Sequence, residues 1–289
     1  MKKILLLIFI LGASVQIFAG LFEDRYPSPK TTAMGGAGAA VNSDVWAAYY
    51  NPANLSGLEK MQVGTSYLRL FNLSFFKNYF GAVAYPLPQK YGTASFSVQY
   101  FGVDYEEKNL NGEFTFAFSH GFYLLKDIHS SLAAGYSIKA YYWDLGESRQ
   151  FGDLGSSTTL GIDLGLQASI YSRTYLGVYF LNINTPQVGD VVKHDLPQRI
   201  VIGIGYKPYD GVTTSLDFNR VIGVGDMQLW GGAEFNVFQN LFLRFGGTTN
   251  PNRLSAGLGI EYAQFKIDYA LLTHNELGET HQFGLIVSF

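Results

Sequence analysis

The sequence contains no cysteine. Disulfide frameworks, cysteine zinc sites and a lipid anchor on cysteine are therefore excluded. Charge is scarce as well: Asp, Glu, Lys and Arg make up 15% of the residues, against about 25% in an ordinary soluble domain. Long apolar runs are missing too. Past the N-terminus nothing approaches the roughly 18 consecutive apolar residues of a membrane-spanning helix, so the low charge does not point to a helical membrane protein. A net charge of −3 supplies no basic face for nucleic acid. What fills the composition instead is aromatic and small: 20 Tyr, 23 Phe and 33 Gly, the texture of strands that face lipid on one side and a lumen on the other.

Met1-Lys2-Lys3 followed by an apolar stretch over 4–15 reads as the charged and hydrophobic regions of an export signal. The stretch is too short to span a bilayer, and Gln16 and the small pair Ala19-Gly20 follow it. Cleavage is expected near Ala19 or Gly20, which makes residues 1–20 a signal peptide and sends the chain out of the cytoplasm.

The rest alternates. A strand buried on one face only must do so, because successive side chains point to opposite faces. Leu160, Ile162, Leu164, Leu166, Ala168 and Ile170 share one face, and Gly161, Asp163, Gly165, Gln167 and Ser169 the other. The same division holds for Val212, Thr214, Leu216 and Phe218 against Thr213, Ser215, Asp217 and Asn219. Leu254, Leu258, Ile260 and Tyr262 oppose Arg253, Gly257, Gly259 and Glu261, while Phe265, Ile267 and Tyr269 oppose Lys266 and Asp268. Helical periodicity gives no such sets. Followed along the chain, the pattern predicts about fourteen strands between residues 61 and 289, near the 9–11 residues a tilted strand needs to cross a membrane. The fold class expected is all-β: a transmembrane, antiparallel, up-and-down barrel.

Connection lengths point the same way. Gaps after even-numbered strands are short (124–129, 170–172, 208–210, 238 and 263), whereas gaps after odd-numbered strands are long, notably 103–112, 143–157, 183–197 and 273–279. Membrane barrels alternate short periplasmic turns with long outer loops, and a soluble sandwich has no reason to sort loops by parity. The chain ends on Phe289 after His281, Phe283, Leu285 and Val287 share a face, the kind of terminal strand expected to be read by the barrel-assembly machinery. Tyr67, Tyr79, Tyr85, Tyr100, Tyr141, Tyr142, Tyr206 and Tyr269 stand near strand ends and are candidates for the interfacial aromatic girdles. Lipid of a bacterial outer membrane is the expected surrounding, and closure of the sheet is what pairs every backbone group within it.

Residues 21–60 do not alternate. Pro27-Ser28-Pro29 is a stiff extended start, 34–40 is small and flexible, and 44–50 reads as one or two helical turns with Asn42, Ser43 or Asp44 as candidate caps. Pro52 ends them, since the residue before a proline leaves the α region. Such a segment ahead of a barrel predicts a plug folded into the lumen, with Met34, Gly35, Gly36, Trp46, Asn51, Pro52 and Asn54 as its motif residues. Here the chain resembles a known group. Ala33-Met34-Gly35-Gly36-Ala37, then Asp44-Val45-Trp46-Ala47-Ala48-Tyr49-Tyr50-Asn51-Pro52-Ala53-Asn54-Leu55, is similar to the N-terminal signature of FadL-like barrels, above all the PorV/PorQ-like outer-membrane proteins. The resemblance implies a fourteen-stranded barrel with an N-terminal hatch in its periplasmic mouth. For the fatty-acid transporters of that superfamily it implies passage of hydrophobic solutes through a kink beside the hatch. For PorV/PorQ-like members it implies a structural or accessory role with secretion-system components. The compact loops of this chain favour the second, with a passive channel for a small hydrophobic ligand as the alternative.

No catalytic, cofactor or metal constellation emerges. His120, His129, His194, His274 and His281 stand in no ligand spacing. Ser119 and His120 are adjacent on a strand and would point to opposite faces, so they form no dyad. Gly35-Gly36-Ala37-Gly38 lacks the strand and helix that a phosphate loop requires. The ionisable residues assigned to the lumen face are Asp163, Asp217, Glu234, Arg244, Arg253, Glu261, Lys266 and Asp268, placed there to tune passage, to bind the plug or simply to keep a watery interior polar.

Overall fold

The structure, a computed structural model, describes residues 21–289 apart from Asp24, Asn42, Gln89, Glu107, 149–151, Val191, Val224 and Gly225. The export signal expected over residues 1–20 lies outside the described residues.

Fourteen strands close into one antiparallel barrel in sequence order. They are β1 Gln62–Arg69, β2 Phe76–Pro86, β3 Thr93–Tyr105, β4 Lys108–Lys126, β5 Ser130–Asp144, β6 Ser156–Ile170 and β7 Thr174–Leu181. The second half comprises β8 Arg199–Tyr206, β9 Val212–Val221, β10 Gln228–Phe238, β11 Leu241–Thr248, β12 Arg253–Tyr262, β13 Phe265–Leu272 and β14 Thr280–Ser288. Closure runs from Gln62 opposite Ser288 to Arg69 opposite His281, so no open sheet edge remains between the first and last strands.

Alternation sets what faces where. Leu160, Ile162, Leu164, Leu166 and Ile170 of β6 are 39–59% exposed, while Asp163 between them is 0% exposed. Residues 160–170 cover roughly 33 Å along the strand, which at a tilt of about 40° gives an apolar band of roughly 25 Å, the height expected of a barrel in lipid. One end of the barrel carries the short connections 127–129, 171–173, 239–240 and 263–264; the other carries 145–155, 182–198 and 273–279. We call these the turn end and the loop end. The interval 103–112, read above as a loop, is instead mostly strand: β3 continues to Tyr105 and β4 begins at Lys108, a hairpin that stands beyond its neighbours. The two-residue ladder of Gln187 and Val188 with His194 and Asp195 folds the 182–198 loop back on itself.

The tyrosine girdle is smaller than expected. Tyr79, Tyr85, Tyr142 and Tyr206 are exposed, but Tyr141 is 4% exposed and lies inside. Tyr141 and Tyr142 are consecutive, so only one of them can face lipid; Tyr142 does.

One seam of the wall is built differently from the rest. The β6–β7 ladder stops at Leu164 opposite Phe180. Above it, at the loop end of the apolar band, side chains replace rungs. Asn184 accepts from the Ile162 N–H (2.9 Å) and donates to the Leu160 carbonyl (2.8 Å), and the Asn182 N–H donates to Asp163 (2.9 Å). A single backbone bond, Ile183 N–H to the Ile162 carbonyl at 2.8 Å, accompanies them. Asn182 and Thr185 have φ of 54° and 48°, which turns the chain out of strand geometry there.

Candidate functional site: the hatch and the lumen it fills

The N-terminal segment runs through the barrel rather than across its mouth. Phe22 and Tyr26 lie toward the loop end: the Phe22 N–H donates to Glu113 (2.9 Å) and the Tyr26 carbonyl accepts from Gln282 (2.6 Å). A five-residue helix, α1 Pro29–Ala33, follows. Ser28 caps it by accepting from the Thr31 N–H at 3.2 Å, and Pro29 stands at its first turn, where a missing N–H leaves no bond unmade. The second helix, α2 Ala47–Tyr50, has Trp46 as N-cap with no side-chain cap bond. Asp44, two residues before it, instead accepts from the Trp46 N–H (3.0 Å); Asn42 lies outside the described residues. Burial pushes the Asp44 carboxyl up from its ordinary pKa. A 3₁₀ turn, Pro52–Gly57, closes the turn end. A hatch confined to the periplasmic mouth, as the resemblance implies, is thus too small a description: the segment reaches from one end of the lumen to the other.

Each motif residue has a physical task. Trp46 is fully buried against Phe80, ring centroids 5.3 Å apart, in a cluster with Val45, Leu55 and Ile286. Asn51 Nδ2 donates to the Ala39 carbonyl (2.8 Å) and to the Leu166 carbonyl in β6 (3.1 Å), while its Oδ1 accepts from the Ala53 N–H (3.1 Å). Asn54 donates to the same Ala39 carbonyl at 3.1 Å. One asparagine therefore ties two stretches of the hatch to the wall, and Pro52 starts the turn that places it. Gly35 and Gly36 adopt φ of 70° and 90°, a region open to glycine and strained for other residues. Met34 and Gly35 lie against β11: a Cβ on Gly246 would meet the Gly35 nitrogen at 2.2 Å. Wall glycines on the lumen face are where the hatch backbone comes closest.

The lumen-facing ionisables divide into groups. Arg244, 0% exposed, donates to Glu234 and to Asp268, each at 2.6 Å. Glu234 also pairs with Lys30 of α1 at 3.4 Å. Lys266 pairs with the half-exposed Glu261 at the turn end, 2.7 Å. This string fixes α1 to β10–β13. Asp217 in β9 accepts from the Gly38 and Ala39 N–H groups (2.8 and 2.9 Å), holding the small-residue stretch to the wall. Arg253 stands half-buried at the loop end. Asp163 stands apart from all of these. It pairs with Lys139 (2.6 Å) and accepts from Tyr179 (2.7 Å).

Asp163 belongs to the other half of the lumen, where a small cavity remains between hatch and wall. It is about 40 Å³ and is lined by Arg25, Tyr49, Phe80, Phe101, Lys139 and Tyr141 among others. That is room for one or two waters; an aromatic hydrocarbon needs on the order of 150 Å³. Arg25 pairs with Glu113 (3.2 Å) and lies over the Phe101 ring, 3.2 Å from its centroid. Phe22 sets its ring edge-on to Tyr141 at 4.9 Å. The 182–198 loop seals the loop end: Val188 and Leu196, 1% and 2% exposed, pack on Tyr141, with Phe22 and Trp143 beside them. Asn182 ties loop to lumen, accepting from the Tyr141 hydroxyl (2.9 Å) and donating to the Pro197 carbonyl (2.9 Å). Arg25, Glu113, Lys139 and Asn182 were not among the residues singled out from the sequence. Glu113 and Lys139 could have been, since each is a charge at a lumen-facing position of an alternating strand.

The CymD monoaromatic hydrocarbon channel superposes with a TM-score of 0.64 at 15% identity, covering 91% of this chain and 97% of its own. The Ralstonia pickettii toluene transporter TbuX gives 0.61 at 14% identity, covering 93% and 98%. A Pseudomonas aeruginosa FadL homologue gives 0.55 at 12% identity, covering 93% and 98%. The chain has the fold of these channels. No family model matches it, and no curated protein matches it in sequence. The solved structures bear out the FadL-like side of the resemblance as a fold and lend nothing to its PorV/PorQ side.

Other constellations do not assemble. Ser119 is buried and bonded to Ser137 (2.7 Å), whereas His120 faces out and contacts the Tyr91 carbonyl (2.7 Å). His194 and Asp195 are both exposed. Among the described residues no group of His, Cys, Asp and Glu is placed to hold a metal ion.

Proposed function

We propose that this chain is a bacterial outer-membrane channel for small hydrophobic solutes, closed at rest by its own N-terminal segment. The observation that carries the reading is the cavity between hatch and wall. Five aromatic rings line it among polar and charged side chains, it sits under a folded-back loop, and it is too small for a solute until the hatch or loop moves. Ligand sites are characteristically apolar with a few placed polar groups, and this one has Arg25, Glu113 and Lys139. The likeness in fold to hydrocarbon channels supports the same reading, whereas a secretion-accessory role has no observation behind it beyond the N-terminal motif.

The test is uptake of labelled toluene by cells displaying the chain in their outer membrane, with conductance of the refolded protein in liposomes. The full chain should speed uptake while conducting few ions. Deleting residues 21–58 should raise conductance sharply. Uptake equal to that of cells without the chain, with no conductance from either form, would leave a scaffold and not a channel.

A further inference from the structure

We infer that the cavity beside the hatch takes single-ring aromatic ligands bearing a hydrogen-bond acceptor, a carboxylate or a carbonyl, in preference to plain hydrocarbon. This rests on the channel reading and names its substrate class. Glu113 is saturated: Oε2 takes the Phe22 N–H (2.9 Å) and the Arg25 ion pair (3.2 Å), and Oε1 takes Asn111 (3.1 Å). Asp163 is engaged too, by three donors: Lys139, the Tyr179 hydroxyl and the Asn182 N–H. The donors are not. Arg25 Nη1 is buried with no hydrogen-bond partner. Lys139, its side chain 5% exposed, has three protons to give and two described partners, Asp163 at 2.6 Å and the Tyr179 hydroxyl at 3.3 Å. Plain hydrocarbon, taking the room of the one or two waters that fit here, leaves those charged donors unmade, which is unfavourable. A ligand acceptor satisfies both.

Size and shape set the remainder of the ligand. The guanidinium lies over the Phe101 ring, and the Lys139 ammonium stands 5.5 Å from the centre of the Tyr49 ring, so each cation is held beside an aromatic ring of the cavity wall. The present space of about 40 Å³ holds no acyl chain. The group a ligand can replace is the ring of Phe22, which lines the cavity at φ 54°, a backbone conformation unfavourable for a bulky residue. Glu23, an exposed residue that also lines the cavity, adds a second carboxylate near Arg25, one screened by solvent.

Equilibrium binding of toluene, acetophenone and benzoate to the full protein in lipid nanodiscs, with empty discs subtracted, tests this. Benzoate and acetophenone should bind at least about tenfold tighter than toluene, the effect of one well-placed hydrogen bond. Arg25→Met should bring both down to the toluene level and leave toluene unchanged. Glu113→Gln, which still accepts from the Phe22 N–H but releases Arg25, should tighten benzoate binding severalfold. That gain cannot come from a merely structural role, and it decides the matter alone if Arg25→Met does not fold. Toluene binding as tightly as benzoate, or no gain from Glu113→Gln, overturns the inference and leaves the channel reading standing. Absence of binding by all three compounds removes both.

Discussion

Arg244 shows what a lumen-facing charge can be for. Its guanidinium is wholly buried between Glu234 and Asp268, where a pair is favourable only if geometry and extra hydrogen bonds offset desolvation. Removing the cation leaves two carboxylates facing each other in the wall, with Lys30 near Glu234 and Lys266 as the other cation close to the pair. Arg244→Met should therefore destabilise the folded barrel by about 3–5 kcal/mol, read as a lower temperature for loss of the compact, heat-modifiable form. A shift near zero would mean that water already screens the site. The position of Arg244 was legible from alternation, because β11 offers only one face to lipid. Its partners were not: nothing in a single strand says which neighbour lies across from it. Tyr141 shows the opposite failure. Composition and position favoured a girdle role, and only its pairing with Asn182 and Phe22 explains why the ring points inward.

At the scale of elements, the strands were readable because lipid on one side and a packed lumen on the other impose a period of two along every crossing. The hatch was readable only as a break in that period, together with a Gly-rich and an Asn-Pro motif. Its path was hidden, since it depends on wall glycines such as Gly246 that read individually as ordinary lumen residues. The β6–β7 seam was hidden as well, because Asn182 and Asn184 look like loop residues in sequence. Their chemistry predicts a local weakness. Replacing backbone rungs by the Asn184 amide makes the Ile162 N–H dependent on one side chain. Asn184→Ala should speed hydrogen exchange at Ile162 by about tenfold, the loss of one hydrogen bond, while amides of the regular ladder such as Leu166 keep their protection. Unchanged exchange at Ile162 would show that the 182–198 loop shields the seam without that bond.

For the whole molecule the remaining question is direction. Both ends are stoppered, one by the 52–57 turn and one by the 182–198 loop, so shape alone does not say which faces the cell. Loop length does: outer loops in membrane barrels are long and periplasmic turns short, which puts Asp153 and Asp190 outside and Asp210 inside. The same orientation places the donor-rich cavity under the outer loop, where a solute would arrive, and the Asn51 anchor at the periplasmic end, where the hatch would have to give way. A chain without cysteine allows this to be examined one site at a time. Cysteine at Asp153 or Asp190, both exposed, should react with a membrane-impermeant maleimide on intact cells, and cysteine at Asp210 only after the outer membrane is breached. The reverse labelling would invert the barrel and turn the 182–198 loop into the inner stopper. The order of events in any passage would then run from the Asn51 anchor toward Tyr141.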